Sequence, residues 1–337
     1  MMTAIKRWIV RLVSLVAAAA IIAAAWLVLY AQSELRPARL PLQFDLRAGS
    51  SLKSVAQQMV DAGVLDDSVR FVILARLLGE AGRIKAGNYE IESPITRFGL
   101  LQKITQGDYT QVVMTVVEGW TFRQLRKTLD DHPAVKHDTE GWSDAEILRR
   151  LGIDQPSPEG WFFPDTYHFS SGTSDLDILR RSHRLMLSHL NLQWERRAAD
   201  SPLKSPYEAL ILASIIEKET GRADERPLIA AVFSNRLRMG MRLQTDPTVI
   251  YGMGQRFDGN IRKADLTADT PYNTYTRDGL PPTPIAMPGI ASLAAALNPV
   301  PSKSLYFVAK GDGSSYFSSS LEEHNRAVTK YQKLGRR

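Results

Sequence analysis

The stretch Leu12–Ala31, LVSLVAAAAIIAAAWLVLYA, runs for 20 residues without a charge. As a helix it spans about 30 Å, the thickness of a bilayer's hydrocarbon core, so it needs no place in a soluble fold. Lys6, Arg7 and Arg11 precede it, while Glu34 and Arg36 follow. The positive-inside rule keeps residues 1–11 in the cytoplasm and sends everything after the span at 12–31 across the membrane. A cleaved signal peptide is the competing reading. Its apolar region would normally be shorter, and Leu29-Tyr30-Ala31 is a poor small-x-small cleavage site, so an uncleaved anchor is favoured. The chain has no cysteine, which excludes disulfides, thiolate metal sites and cysteine nucleophiles and is compatible with an oxidising compartment.

Beyond the anchor the chain reads as globular. Of the net charge of +6, three units sit on Lys6, Arg7 and Arg11, and the remaining +3 forms no basic stripe with interleaved aromatics, so nucleic acid is not an expected partner. The histidines at 132, 137, 168, 183, 189 and 324 show no HExxH or other ligand spacing, so neither a zinc site nor a cofactor is expected.

Residues 32–41 read as a tether. A repeated unit follows: Leu46-Arg47-Ala48-Gly49-Ser50-Ser51-Leu52 leads into a helix through Val55 and Met59, and 70 residues later Val116-Val117-Glu118-Gly119-Trp120-Thr121-Phe122 leads into one through Leu125 and Leu129. Each copy spells a strand, a glycine turn, a Ser/Thr helix cap and an amphipathic helix. With a helix at 67–78, a strand at 87–91 and a helix at 97–105 between them, residues 42–130 make a small α+β domain. Residues 131–337 make a larger mixed α+β domain. Within it, Trp161, Phe162 and Phe163 beside Gly160 and Pro164 read either as an aromatic loop that stacks on sugar rings next to Asp165 or as an ordinary core edge.

Ser205-Pro206-Tyr207-Glu208 has the form of a capping box with proline at the first helical position, so a helix starts here. At 100° per residue, Leu212, Ile215 and Ile216 fall within about 60° of Glu219. Desolvation beside such a stripe raises a carboxyl pKa, which suits a general acid. Glu217, beside Leu210, Ala213 and Ser214, is the competitor, and both glutamates are equally open to ion pairing with Lys218, Arg222 or Arg226. A helix from Arg226 through Leu237 follows, ended by Gly240 with Arg236 and Arg238 in its last turn. In 241–252, Pro247 limits any strand to an edge or a loop. Residues 271–289 read as a rigid polar loop, and 305–318 as a hairpin around Gly311-Asp312-Gly313.

Together, IIEKET, RLQTDPTVIYG, PYNTYT, GLPPTPIAMPG and EGWFFPDTY resemble the endolytic murein transglycosylase family (MltG, YceG-like) across nearly the whole chain, including KAGNYEI at 85–91 in a LysM-like N-terminal region. The resemblance implies an α+β fold: a transmembrane helix, a small LysM-like α+β region at 42–130 and a catalytic domain at 131–337. It implies that Glu219, the second glutamate of the E-K-E pair, is catalytic, and that Asp165, Gln244, Thr245, Asp246, Asn273 and Tyr275 line the substrate cleft. The implied reaction is lytic cleavage of the β-1,4 bond between N-acetylmuramic acid and N-acetylglucosamine, leaving 1,6-anhydro ends and terminating nascent glycan strands. Peptidoglycan glycan and its synthases are the implied partners, and a single-pass inner-membrane protein with its C-terminal domain in the periplasm the implied location. The other readings are a non-catalytic glycan-binding scaffold and a muramidase-type hydrolase using a second carboxylate at Asp246.

Overall fold

The computed structural model describes residues 2–37, 40–47, 49–107 and 111–333. The fold is mixed α+β. It opens with one long apolar helix, α1 (Met2–Gln32), of which Arg11–Gln32 is long and apolar enough to cross a membrane. Leu12, Val16, Ile21 and Leu29 on it are exposed. Its last turn behaves differently. Tyr30 is buried in the core of the unit that follows, with Leu27 and Ala31 packed against the same cluster.

By compactness the chain divides into Met1–Val112 with His168–Gly172, and Val113–Tyr167 with Thr173–Arg337. In the first unit, β1 (Leu42–Leu46) pairs antiparallel with β2 (Gly87–Ile91) in the register Phe44↔Tyr89. Between them lie α2 (Leu52–Asp61) and α3 (Ser68–Leu77), and α4 (Arg97–Gln106) follows. Phe44, Met59, Phe71, Leu74, Tyr89 and Leu100 form much of the core. The segment read as a tether is fastened over residues 33–35: Leu35 is buried, its N–H donates to Ile95 O at 2.8 Å, and the Arg97 N–H donates to Ser33 O at 3.2 Å.

Both copies of the repeat fold as their sequences suggest. Gly49 and Gly119 adopt φ of 75° and 78°, a left-handed conformation open to glycine. Ser51 then caps α2 by accepting from the Ser54 N–H, and Thr121 caps α5 (Phe122–Asp130), following β3 (Gln111–Thr115), in a full capping box with Gln124. Residue 48 lies outside the described residues. α5 belongs to the second compact unit, although the sequence reading groups it with the first domain.

After α5 the chain continues through β4 (Val135–Lys136), α6 (Asp144–Leu151) and β5 (Thr166–Ser170), whose last three residues are counted with the first unit. Then, in the second unit, come β6 (Thr173–Ser174), α7 (Asp175–Glu195), α8 (Pro206–Glu219), α9 (Arg226–Arg238), α10 (Asp246–Met253), α11 (Lys263–Thr267), α12 (Ile290–Leu297), the hairpin β7 (Tyr306–Ala309) and β8 (Ser315–Ser318), and α13 (Leu321–Val328). β4 and β6 pair in parallel, β7 and β8 antiparallel. α8 is the centre. Every residue from Ala209 to Ile216 is buried against α7, α9, α10 and α12, so the helix is apolar all round rather than striped.

Two expectations change, and of the two readings of the aromatic loop the core edge is the one found. Residues 246–253 form a helix and not an edge strand, because Pro247 sits in its first turn, where a missing N–H costs nothing. Trp161, Phe162 and Phe163 are buried, and Trp161 stacks on Tyr207 with ring centroids 5.6 Å apart, so the aromatic loop is core. At the start of α8, Ser205 accepts from the Glu208 N–H, but the Glu208 carboxylate accepts from the Lys204 N–H at 2.6 Å and does not return to Ser205.

Candidate active site

α8 ends at Glu219, since Thr220 turns extended at φ −147°. The carboxylate therefore sits at the negative end of a buried helix, where the macrodipole disfavours its charge. Burial pushes its pKa up to about 7; the neighbouring Asp246 adds to this, while a hydrogen bond from Thr245 and the charge of Arg236 oppose it. The residue keeps part of its surface open to solvent, as a group that must meet a substrate requires.

The segment facing Glu219 is fixed from two sides. Arg236 points inward from the last turn of α9 and is 7% exposed. Its guanidinium donates to Leu243 O at 2.7 Å, to Arg242 O at 3.2 Å and to Leu305 O at 2.7 Å. From the other side, Thr274 accepts the Gln244 N–H on its carbonyl at 3.1 Å and the Thr245 N–H on its hydroxyl at 3.1 Å. Held this way, Gln244 takes φ 50°, a left-handed conformation uncommon for a residue with a side chain. Thr245, at the N-cap of α10, makes no capping bond with its side chain; its hydroxyl instead points to Glu219 and donates to Oε1. Asp246, the first residue of α10, is exposed and accepts from the Tyr275 hydroxyl at 2.6 Å.

Of the residues expected around Glu219, Thr245 bonds to it, Asp246 and Tyr275 are near enough to interact with its charge, and Gln244 adjoins Thr245 in the same pinned segment. Asn273 serves the same region from behind. It is fully buried, donates to Asp265 O, Leu266 O and Ala268 O, and accepts the Tyr275 N–H at 2.9 Å, so it shapes the loop that carries Tyr275 and exposes no surface in this structure. Asp165 is exposed, accepts from the Thr166 N–H, and lines a cavity of about 300 Å³ with Arg184 and Ser188 that contains none of the Glu219 neighbours.

Glu217 has a different environment. Its side chain is 5% exposed, pairs with Arg226 at 3.4 Å, and accepts the Gly289 N–H at 3.0 Å at the start of α12. Glu118 lies against the same glycine, so closely that a Cβ on Gly289 would fall 1.8 Å from its Oε1; burial first, then the charge of Glu217, raise its pKa. The E-K-E pair thus splits into one glutamate satisfied by an arginine and a backbone N–H, and one that, among the described residues, accepts from a hydroxyl.

A further carboxyl escaped the sequence reading although it opens EGWFFPDTY. Glu159 is 4% exposed, accepts the Phe122 N–H at 2.9 Å and the Tyr251 hydroxyl at 3.1 Å, and is pushed up to about 7 by burial. It ties α5 to α10, the helix that carries Asp246. Among the described residues, Asp130, His137 and Asp175 bring potential metal-ligand atoms within 4.8 Å of one another. The Asp175 oxygens, however, already accept the Thr139 N–H and hydroxyl and the Leu176 N–H, so this carboxylate acts as a local cap.

Comparison with known proteins agrees with this architecture. The chain is 32% identical to an endolytic murein transglycosylase of Bacillus subtilis over 326 residues, covering 90% of this chain and 89% of that protein. It is 26% identical to one of Streptococcus pneumoniae, covering 84% of this chain and 57% of that longer protein. The crystal structure of a YceG-like protein from Listeria monocytogenes superimposes with a TM-score of 0.52 at 29% identity, covering 85% of this chain and 98% of that one. The model of the YceG-like family matches residues 44–330, and the chain belongs to that family.

Proposed function

We propose that this chain is an endolytic murein lytic transglycosylase in which Glu219 is both the general acid and the general base. The observation that carries the reading is the part-buried Glu219 carboxyl, held at about 7 by burial at the end of α8 and touched by a hydroxyl. A group with that pKa is substantially protonated at neutral pH and gives up its proton at little cost. In the proposed reaction Glu219 protonates the oxygen of the β-1,4 bond between N-acetylmuramic acid and N-acetylglucosamine as the C1–O bond breaks. The C6 hydroxyl of the same muramic acid then attacks C1, and its proton returns to Glu219, leaving a 1,6-anhydro end. The internal hydroxyl has an effective molarity of about 10⁵ M or more, which lets one carboxyl suffice where hydrolases use two. Gln244, the Tyr275 hydroxyl and Asp246, clustered on the open side, orient sugar hydroxyls and N-acetyl groups in this reading, with Asp165 at a more distant subsite.

An anchor at Arg11–Gln32 supports a single-pass inner-membrane protein whose folded units face the periplasm, near strands emerging from peptidoglycan synthases, and hence a role in ending their growth. The β1-α2-α3-β2 order of residues 42–91, with antiparallel outer strands, supports reading the first unit as a LysM-like glycan-docking module.

The test is mass spectrometry of fragments released from purified peptidoglycan by the full chain and by Glu219→Gln. Anhydro-ended fragments should fall by a factor of about 10³ or more in the variant, and the wild-type rate should decline as pH rises through about 7, where the acid loses its proton. Reducing ends would overturn lytic cleavage in favour of hydrolysis with Asp246 as the second carboxylate. Undiminished product from the variant would remove Glu219 from the chemistry.

A further inference from the structure

We propose that the exposed face of α3 rests on the surface of the bilayer that α1 spans, making the first unit a membrane-apposed module and not one swinging on a tether; this rests on the anchor reading above. α3 is two-faced. Phe71, Leu74 and Ala75 are buried, while Val69 (62% exposed), Ile73 (41%) and Leu77 (67%) recur every fourth residue on the outside. Arg76 shares that outer face, and no acidic residue interrupts it. An apolar stripe with a basic flank is what an interfacial helix presents to lipid.

The occupant follows from where the stripe begins. Tyr30 lies two residues before the end of the span at Gln32, stacked on Trp26 with centroids 5.7 Å apart, the placement of an interfacial aromatic. The guanidinium of Arg70, in the first turn of α3, lies 5.7 Å from the Tyr30 ring centre, and that of Arg97 lies 4.9 Å from it. Arg97 also pairs with Asp66, just before α3, at 3.0 Å and donates to Ser33 Oγ at 2.7 Å. Val69 and Phe98 (41% exposed) are the chain neighbours of these two arginines. The first turns of α3 and α4 are thus fastened at the level where hydrocarbon gives way to headgroups, and their apolar side chains emerge there.

The chain has no cysteine, so single substitutions carry unique spin labels. Val69→Cys, Ile73→Cys and Leu77→Cys would be labelled in the full chain, reconstituted in nanodiscs of phosphatidylethanolamine and phosphatidylglycerol, with Val16→Cys in the span and Lys53→Cys on α2 as references. Labels at 69, 73 and 77 should collide with oxygen severalfold more, and with an aqueous nickel chelate severalfold less, than the label at 53. If they match the label at 53 while the one at 16 stays shielded, the surface proposal falls and the anchor stands. A water-accessible label at 16 would sink both. Shielding that appears only with rising protein density, together with dipolar broadening between labels, would overturn the proposal by assigning the face to a second copy of the chain.

Discussion

The two copies of the strand–glycine–capped-helix segment share a backbone and differ in what holds their turns. In the first, the fastening comes from the segment's own helix: the Gln58 side chain accepts the Arg47 N–H at 3.0 Å and donates to Ser50 Oγ at 3.1 Å, and a Cβ on Gly49 would meet nothing. In the second, it comes from far along the chain. The Gly119 N–H donates to Met287 O, the Lys218 ammonium donates to Gly119 O, and Glu159 accepts the first N–H of α5. Local sequence suffices to build the motif twice. Tertiary surroundings make only the second a wall beside the E-K-E glutamates.

The comparison is broken or sharpened by removing one fastening at a time. Glu217→Ala should have the largest effect, costing about 3 kcal/mol in denaturant titrations, because it leaves the Gly289 N–H without its acceptor and the Arg226 guanidinium, 12% exposed, with the more distant Glu118 at 3.9 Å. A cost below about 1 kcal/mol would mean that the buried pair beside the second copy contributes little to stability. Glu159→Gln comes next, and its effect depends on pH. An unfolded glutamate loses its proton near 4.5, whereas Glu159 in the fold keeps it to about 7. The native state is therefore favoured by this group below 4.5, and that contribution is lost as pH rises to 7, up to about 3 kcal/mol in all. Stability measured at pH 5 and pH 8 should differ less in the variant than in the wild type, and an equal gap would show that the Glu159 carboxyl is not held neutral. Gln58→Ala should be the smallest, about 0.5–1 kcal/mol, since its bonds are near the surface. A cost matching that of Glu217→Ala would erase the distinction.

Much of this was legible in the chain because it is local. Glycine before Ser51 and Thr121, proline at the start of α8 and the apolar residues of α2 and α5 state their structures within a few residues. Helix geometry sets Glu219 apart from Glu217 by an apolar stripe, but α8 is buried on every side, and what separates the two glutamates is partners that lie 9 to 72 residues away in sequence. Distant partners were illegible in kind. Arg236 reads as a last-turn cation, yet it turns inward to hold Leu243 and Leu305. Asn273 reads as a sugar ligand, yet it spends its amide on backbone carbonyls. Pro247 reads as a strand limit because position within a helix, unlike composition, depends on where the preceding loop is pinned.

Thr245 carries one further consequence. A hydroxyl has one hydrogen to give and lone pairs to receive, and this one has left its own helix uncapped to stand beside Glu219. On the proposed reading the glutamate alternates between acid and anion within each turnover. Rotation about a single C–O bond lets Thr245 serve as donor to the anion and acceptor from the acid, so both halves of the cycle find a satisfied partner without any heavy atom moving.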